Sequence, residues 1–182
     1  MTRKALWFWS TFVVWLIIDQ ATKIWVYTHL QYRIDEVEVI PGVFSIVHAQ
    51  NPGAAFGMLT DFEYRHWVFL AFTAIAMGFI WDMYRKLPSA DRLQAFALAL
   101  IASGAVGNAI DRLHKRTVTD FLRFHLEDPS WKAWAIDWFG TNEYPSFNVA
   151  DSTLLVGVVI FFFHSMFADG ADAAAEPVPD RP

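Results

Sequence analysis

The sequence predicts an all-α integral membrane protein: four transmembrane helices, with a small β-prone segment and an interfacial helix or loop outside the bilayer. Three observations carry that prediction. The chain has 182 residues, 55% hydrophobic and 17% aromatic, at a mean hydropathy of +0.28, which is too apolar for a soluble domain of this length. The apolar residues gather in four blocks: Ala5–Ile18 continuing past Asp19 to Tyr27, Trp67–Trp81, Leu93–Gly107, and Val149–Ala168. A spanning helix needs about 20 residues, with a range of about 17–25. The outer two blocks reach that length, and the middle two reach it with flanks such as His66, Tyr84 and Ile110.

Taken in order, the expected spans are 6–28, 66–85, 92–112 and 148–168, in a single domain over 1–168. Arg3-Lys4 before an apolar run also resembles a secretion signal, but Asp19-Gln20-Ala21-Thr22-Lys23 follows where a small-x-small cleavage site would stand, so a retained first helix is expected. Within the segment 34–57, Val37–Ile40 and Val43–His48 are short β-prone runs split by Pro41-Gly42, a pattern for a hairpin or small sheet. The loop 113–147 is polar with interspersed Trp131, Trp134, Trp138 and Phe139, which suits a segment at headgroup level. The tail 169–182 carries Asp169, Asp172, Glu176 and Asp180 among Ala and Pro, a composition of disorder. Charge counting leaves the orientation open. Arg3, Lys4, Arg85, Lys86 and Arg92 mark one side, and Arg33, Arg65, Lys115, Arg116, Arg123 and Lys132 the other.

Polar side chains collect where anchors would not need them. Asp19 and Lys23 lie four apart in the first span, Asn108, Asp111 and Arg112 end the third, and Asn148 and Asp151 begin the fourth. Each spacing puts its members on one helical face. Asn51-Pro52-Gly53-Ala54-Ala55-Phe56-Gly57 precedes the second span, and Asp120 follows the third. Singly, each cluster has a plain structural reading: an i,i+4 ion pair for Asp19 and Lys23, a capping pair for Asn148 and Asp151. Jointly, converging on one membrane face, they read as a site, since an acid at a membrane boundary is costly without a function.

The residue types narrow its chemistry. Cysteine is absent, which excludes disulfides, thiolate catalysis and cysteine metal sites. Ser103 stands in no G-x-S-x-G elbow, with only a distant histidine such as His125 as partner. H-E-x-x-H is missing and no histidines pair at i,i+4, so neither zinc nor any other cofactor is expected. Two aspartates sharing a proton remain, one as general base on water and the other as general acid. Asp120 and Asp151 fit, each beside a helix end with an Asn or Arg cluster. A proton-coupled transporter would need charges near the midplane of several spans. A structural membrane protein, with these clusters as caps and ion pairs, would tolerate Asp151→Asn, because Asn also caps well.

Five blocks in order then resemble the lipoprotein signal peptidases (signal peptidase II): Asp19-Gln20-Ala21-Thr22-Lys23, Asn51-Pro52-Gly53-Ala54-Ala55-Phe56, Gly104-Ala105-Val106-Gly107-Asn108-Ala109-Ile110-Asp111-Arg112, Val118-Thr119-Asp120-Phe121, and Phe147-Asn148-Val149-Ala150-Asp151-Ser152. The resemblance runs from about Trp7 to Phe167. It implies four transmembrane helices with a small extracytoplasmic β-cradle and a periplasmic helix, both termini cytoplasmic, in the bacterial inner membrane. It implies removal of the signal peptide from a diacylglyceryl-modified prolipoprotein, just before the lipidated cysteine. Asp120 and Asp151 take the catalytic positions. Asn51, Gly53, Asn108, Arg112 and Asn148 take supporting or substrate-contacting ones, with Asp19 and Lys23 also matched, and Asp111 read as a structural ion-pair partner. The expected partners are that substrate and the phospholipid bilayer, with no nucleic acid, in a monomer. One departure stands out: Phe121–Phe147 is longer than usual for the family, with Trp131–Gly140 as the extra material, and it brings in Asp128 and Asp137 as decoy acids.

Overall fold

Hydrocarbon offers no hydrogen-bond partners to backbone, so an apolar chain of this kind crosses a bilayer as helices. The computed structural model describes residues 2–53 and 62–174, the side chains of 168–174 excepted. Among them four helices are long and apolar enough to span a membrane: α1 (Arg3–His29), α2 (Arg65–Lys86), α3 (Arg92–Lys115) and α5 (Val149–Ala174, apolar through Phe167). Ala54-Ala55-Phe56-Gly57 and the tail beyond residue 174 lie outside the described residues, while residues 169–174 continue α5.

α3 is the central helix, mostly buried, whereas the other three leave most of their apolar surface exposed. Its sequence explains the position. Lipid tails are as apolar as leucine, so helices associate where small residues let backbones approach. α3 supplies Ala95, Ala99, Ala102, Gly104 and Gly107 to that purpose. A Cβ on Gly104 would strike the Ala150 carbonyl and Thr153 Oγ1 of α5, and one on Gly157 of α5 would lie 2.8 Å from the Ala97 carbonyl. At the far end from the sheet, Lys4 Nζ donates to the Tyr84 and Leu87 carbonyls at 3.0 and 2.7 Å, closing the C-terminus of α2.

The extramembrane part is an antiparallel sheet of β1 (Glu36–Ile40), β2 (Phe44–Asn51) and β3 (Val118–Phe124), in that order. β3 falls in the stretch that the sequence reading left as a polar loop. Its first four residues, Val118 to Phe121, are all buried, so the alternation that marks a half-exposed strand is missing. The register sets Ala49 opposite Asp120 and Asn51 opposite Val118.

The long segment after β3 forms a helix and returns. Asp128 caps α4 (Pro129–Phe139), accepting from the Ser130 and Trp131 backbone N–H groups, and Gly140 ends it at φ 75°. The chain then pairs back along β3. Leu126 N–H donates to the Asn142 carbonyl (3.0 Å), Tyr144 N–H to that of Phe124 (2.9 Å), and Leu122 and Phe147 exchange bonds of 2.8 and 3.1 Å. This strap delivers Asn148 to the start of α5, beside Asp120.

Candidate active site

Site residues meet at the end of the bundle that carries the sheet. Asn148 and Asp151 form the reciprocal capping pair that their spacing suggested. Asn148 Oδ1 accepts from the Asp151 N–H at 3.0 Å, and Asp151 Oδ2 accepts from the Asn148 N–H at 3.1 Å. Capping leaves each side chain capacity for more. Asn148 Nδ2 donates to Asp120 Oδ1 at 2.7 Å, and Asn108 Nδ2 donates to Asp151 Oδ1 at 2.7 Å. Asn148 Nδ2 also reaches Asn108 Oδ1 at 3.3 Å, so two amides tie the two carboxylates into one network.

Lys23 fixes which way those amides point. An ammonium only donates, so its bond of 2.9 Å to Asn108 Oδ1 directs Asn108 Nδ2 toward Asp151. Lys23 is 1% exposed and also meets Asp19 at 3.0 Å and Asp111 at 3.5 Å, so two carboxylates flank the buried ammonium. Asp19 reaches further: its Oδ1 accepts the Ala150 N–H at 2.9 Å, so α1 caps a second orphan donor at the start of α5. Asp111 Oδ2 accepts the Thr119 N–H at 2.9 Å and anchors β3 one residue before Asp120.

Asn51 ends β2 with its amide hydrogen-bonded to Asp120, while its Oδ1 accepts the Gly53 N–H at 3.0 Å. Gly53 is buried at this turn. Arg112 lies with its guanidinium 4.7 Å from the Phe69 ring centroid and Nη1 3.4 Å from the Asn108 carbonyl, within electrostatic reach of Asp151, Asp120 and Asp111. The structure thus brings all nine residues singled out from the sequence, with Asp111, into one neighbourhood. The decoys stay away: Asp128 caps α4, and Asp137 is exposed on it.

Some participants were not singled out. Lys115 sits 3.6 Å from Asp111 and donates to Thr119 Oγ1 at 3.2 Å; its i+4 spacing from Asp111 was the available signal. Gly107 is where α3 passes Asp19, since a Cβ there would overlap Asp19 Oδ2. Gly107→Ala should destabilise the fold by about 1–3 kcal/mol, read as a lower thermal midpoint in detergent.

Burial, and then the neighbouring Asp151 charge, push the Asp120 carboxyl up from 3.8 to about 7, against the Asn148 and Asn51 amides and Lys23. If Asp120 holds a proton, Asp19, Asp111 and Asp151 stand against Lys23, Arg112 and Lys115, and the cluster is neutral. The shift has a consequence for stability. Between 3.8 and about 7 the folded protein keeps a proton that the unfolded chain releases, so stability falls as pH rises through this window. Thermal midpoints from pH 4 to 8 should fall more steeply for the wild type than for Asp120→Asn; parallel profiles would contradict the shift.

An apolar cavity of about 680 Å³ opens beside Asp151, lined by Phe124, Tyr144, Phe147, Ser152, Leu155 and Val156. One carboxylate, that of Asp151, in an otherwise largely apolar wall suits an amphiphilic ligand.

The fold is that of a bacterial membrane enzyme. Two solved structures described as bacterial membrane enzymes are similar to the chain. One has a TM-score of 0.76 at 26% identity over 94% of this chain and 93% of that one, the other 0.70 at 29% over 86% and 90%. The family description "Signal peptidase (SPase) II" matches residues 11–167, and the chain belongs to that family. Similar curated relatives are the lipoprotein signal peptidases of Geobacter metallireducens (46% identical over 80% of this chain and 81% of that protein) and Desulforapulum autotrophicum (38% over 87% and 89%).

Proposed function

We propose that this protein is an aspartyl endopeptidase that removes the signal peptide from diacylglyceryl-modified prolipoproteins, cutting just before the lipidated cysteine. The observation that carries the reading is the amide bridge. Asn148 bonds both Asp120 of β3 and Asp151 of α5, Asn108 bonds Asp151 and Asn148, and Asp120 is pushed up to about 7.

Asp120 then holds the dyad's proton and Asp151 the charge. Asp151 takes a proton from a water whose oxygen attacks the scissile carbonyl carbon, while Asp120 gives its proton to the carbonyl oxygen. In the tetrahedral intermediate the C–N bond breaks, the cysteine nitrogen takes the proton from Asp151, and a hydroxyl proton returns to Asp120. Asn148 and Asn108 aim the carboxylates, and Lys23, Asp19 and Asp111 hold those amides in place. Asn51 and Gly53 form the turn beside Asp120, and Arg112 supplies fixed positive charge. The protein sits in the bacterial inner membrane as a monomer with both termini cytoplasmic, and the sheet end is the outer face.

The test is cleavage of purified precursor by the purified enzyme, with and without the diacylglyceryl group. The lipidated form should be cut to a product beginning with the modified cysteine. Equal cleavage of both forms, or a cut elsewhere, would refute the substrate assignment.

A further inference from the structure

The apolar cavity beside Asp151 has a neighbour. The rings of Phe124 and Tyr144 also border a second cavity of about 430 Å³, roofed by Trp134, Ala135 and Phe139 of the α4 excursion. Most of its polar groups are already committed. His125 Nε2 pairs with Ser45 Oγ at 3.0 Å, Asn142 Nδ2 donates to the Leu126 carbonyl at 3.1 Å, and Glu143 is ion-paired with Arg123. Apart from the buried His125 Nδ1, which has no hydrogen-bond partner among the described residues, what remains for a ligand is aromatic and aliphatic surface.

The two cavities are neighbours, with Phe124 and Tyr144 in the wall of both. The near one, at Leu155 and Val156, is inside the α5 span, and the far one lies beyond the spans, between β3, the strap and α4. Acyl chains are served by the cavity at the span. A peptide cut at Asp151 enters from the bilayer and leaves toward the far cavity with its mature segment. β3 advances four residues from Asp120 to Phe124, roughly 13 Å at about 3.3 Å per residue. With β2 and the strap on its two edges, an extended peptide crossing the face that carries Asp120 and Phe124 brings the third to fifth residue after the cut to Phe124.

On the functional reading above, we propose that the cavity under α4 is a specificity subsite for an apolar or aromatic side chain of the mature segment, about three to five residues beyond the cleaved bond. None of its wall residues belongs to the carboxylate network.

The experiment uses the full chain in detergent and lipidated precursors carrying Ser throughout positions two to six after the cut, or Trp at one of them. The wild type should show kcat/KM at least about tenfold higher for Trp at one position from three to five, the discrimination one well-filled apolar pocket supplies. Ala135→Trp, which fills the cavity, and Trp134→Ala, which opens its wall at a half-exposed residue, should abolish the preference and leave cleavage of the all-Ser precursor unchanged. That unchanged rate also shows that the variants fold. Cleavage indifferent to position, or a preference that survives both variants, would overturn the subsite alone. The same holds if Trp134→Ala alters the dependence on acyl-chain length instead. No cleavage of any precursor by the wild type would overturn the functional reading and the subsite with it.

Discussion

Asp120→Asn and Asp151→Asn should each slow precursor cleavage by about 10²–10⁴-fold, the range general acid–base groups contribute, with the protein still folded. The substitutions change little else. Asn at 151 still caps α5, and Asn at 120 still offers an oxygen to Asn148 Nδ2. What each removes is a group that can exchange a proton. Asp128→Asn and Asp137→Asn should leave the rate at the wild-type level, since the first acid only caps α4 and the second faces solvent. Full-rate cleavage by either dyad variant would end the assignment, and would favour a structural reading in which Asp151 only caps α5 and Asp120 only holds the Asn148 and Asn51 amides.

Lys23→Met should be the most destabilising single change in the molecule's polar core, by about 3–5 kcal/mol. The methionine keeps the stem's packing, so the loss is of charge. Asp19 and Asp111 would remain buried, at 1% and 3% exposure, without the cation between them. The Asn108 amide would also lose the donor that sets its direction, so kcat should fall even in the molecules that stay folded. Adding Asp19→Asn to Lys23→Met should recover part of the thermal midpoint, because the stranded charge goes while Asp111 keeps Lys115. An unchanged midpoint in Lys23→Met would show that Lys23 does not hold the cluster.

Much of this was legible in the sequence because the membrane sharpens the signal. Block length fixed the four helices, and acids and amides at span ends were conspicuous against the apolar background. Spacing alone paired Asn148 with Asp151 and Asp19 with Lys23. Partnerships across elements were not legible. Nothing local says that Asp19 reaches the Ala150 N–H on another helix, or that Asp111 anchors Thr119. β3 escaped notice because burial on both faces erases its alternation and the site takes its polar residues. Gly107 looked like any small residue of a packed helix, until the Asp19 carboxylate filled the place of its Cβ.

The α4 excursion leaves and rejoins the sheet at neighbouring points: Leu126 N–H bonds the Asn142 carbonyl, and His125 is bridged to Glu143. A segment whose two ends are already tied together is a cassette. Lengthening, shortening or exchanging what lies between costs little in closure entropy, and shifts neither Asp120 on one side of the clasp nor Asn148 on the other. Evolution, or an engineer, can therefore rewrite this outer excursion as an independent module while the proteolytic machinery below is inherited intact.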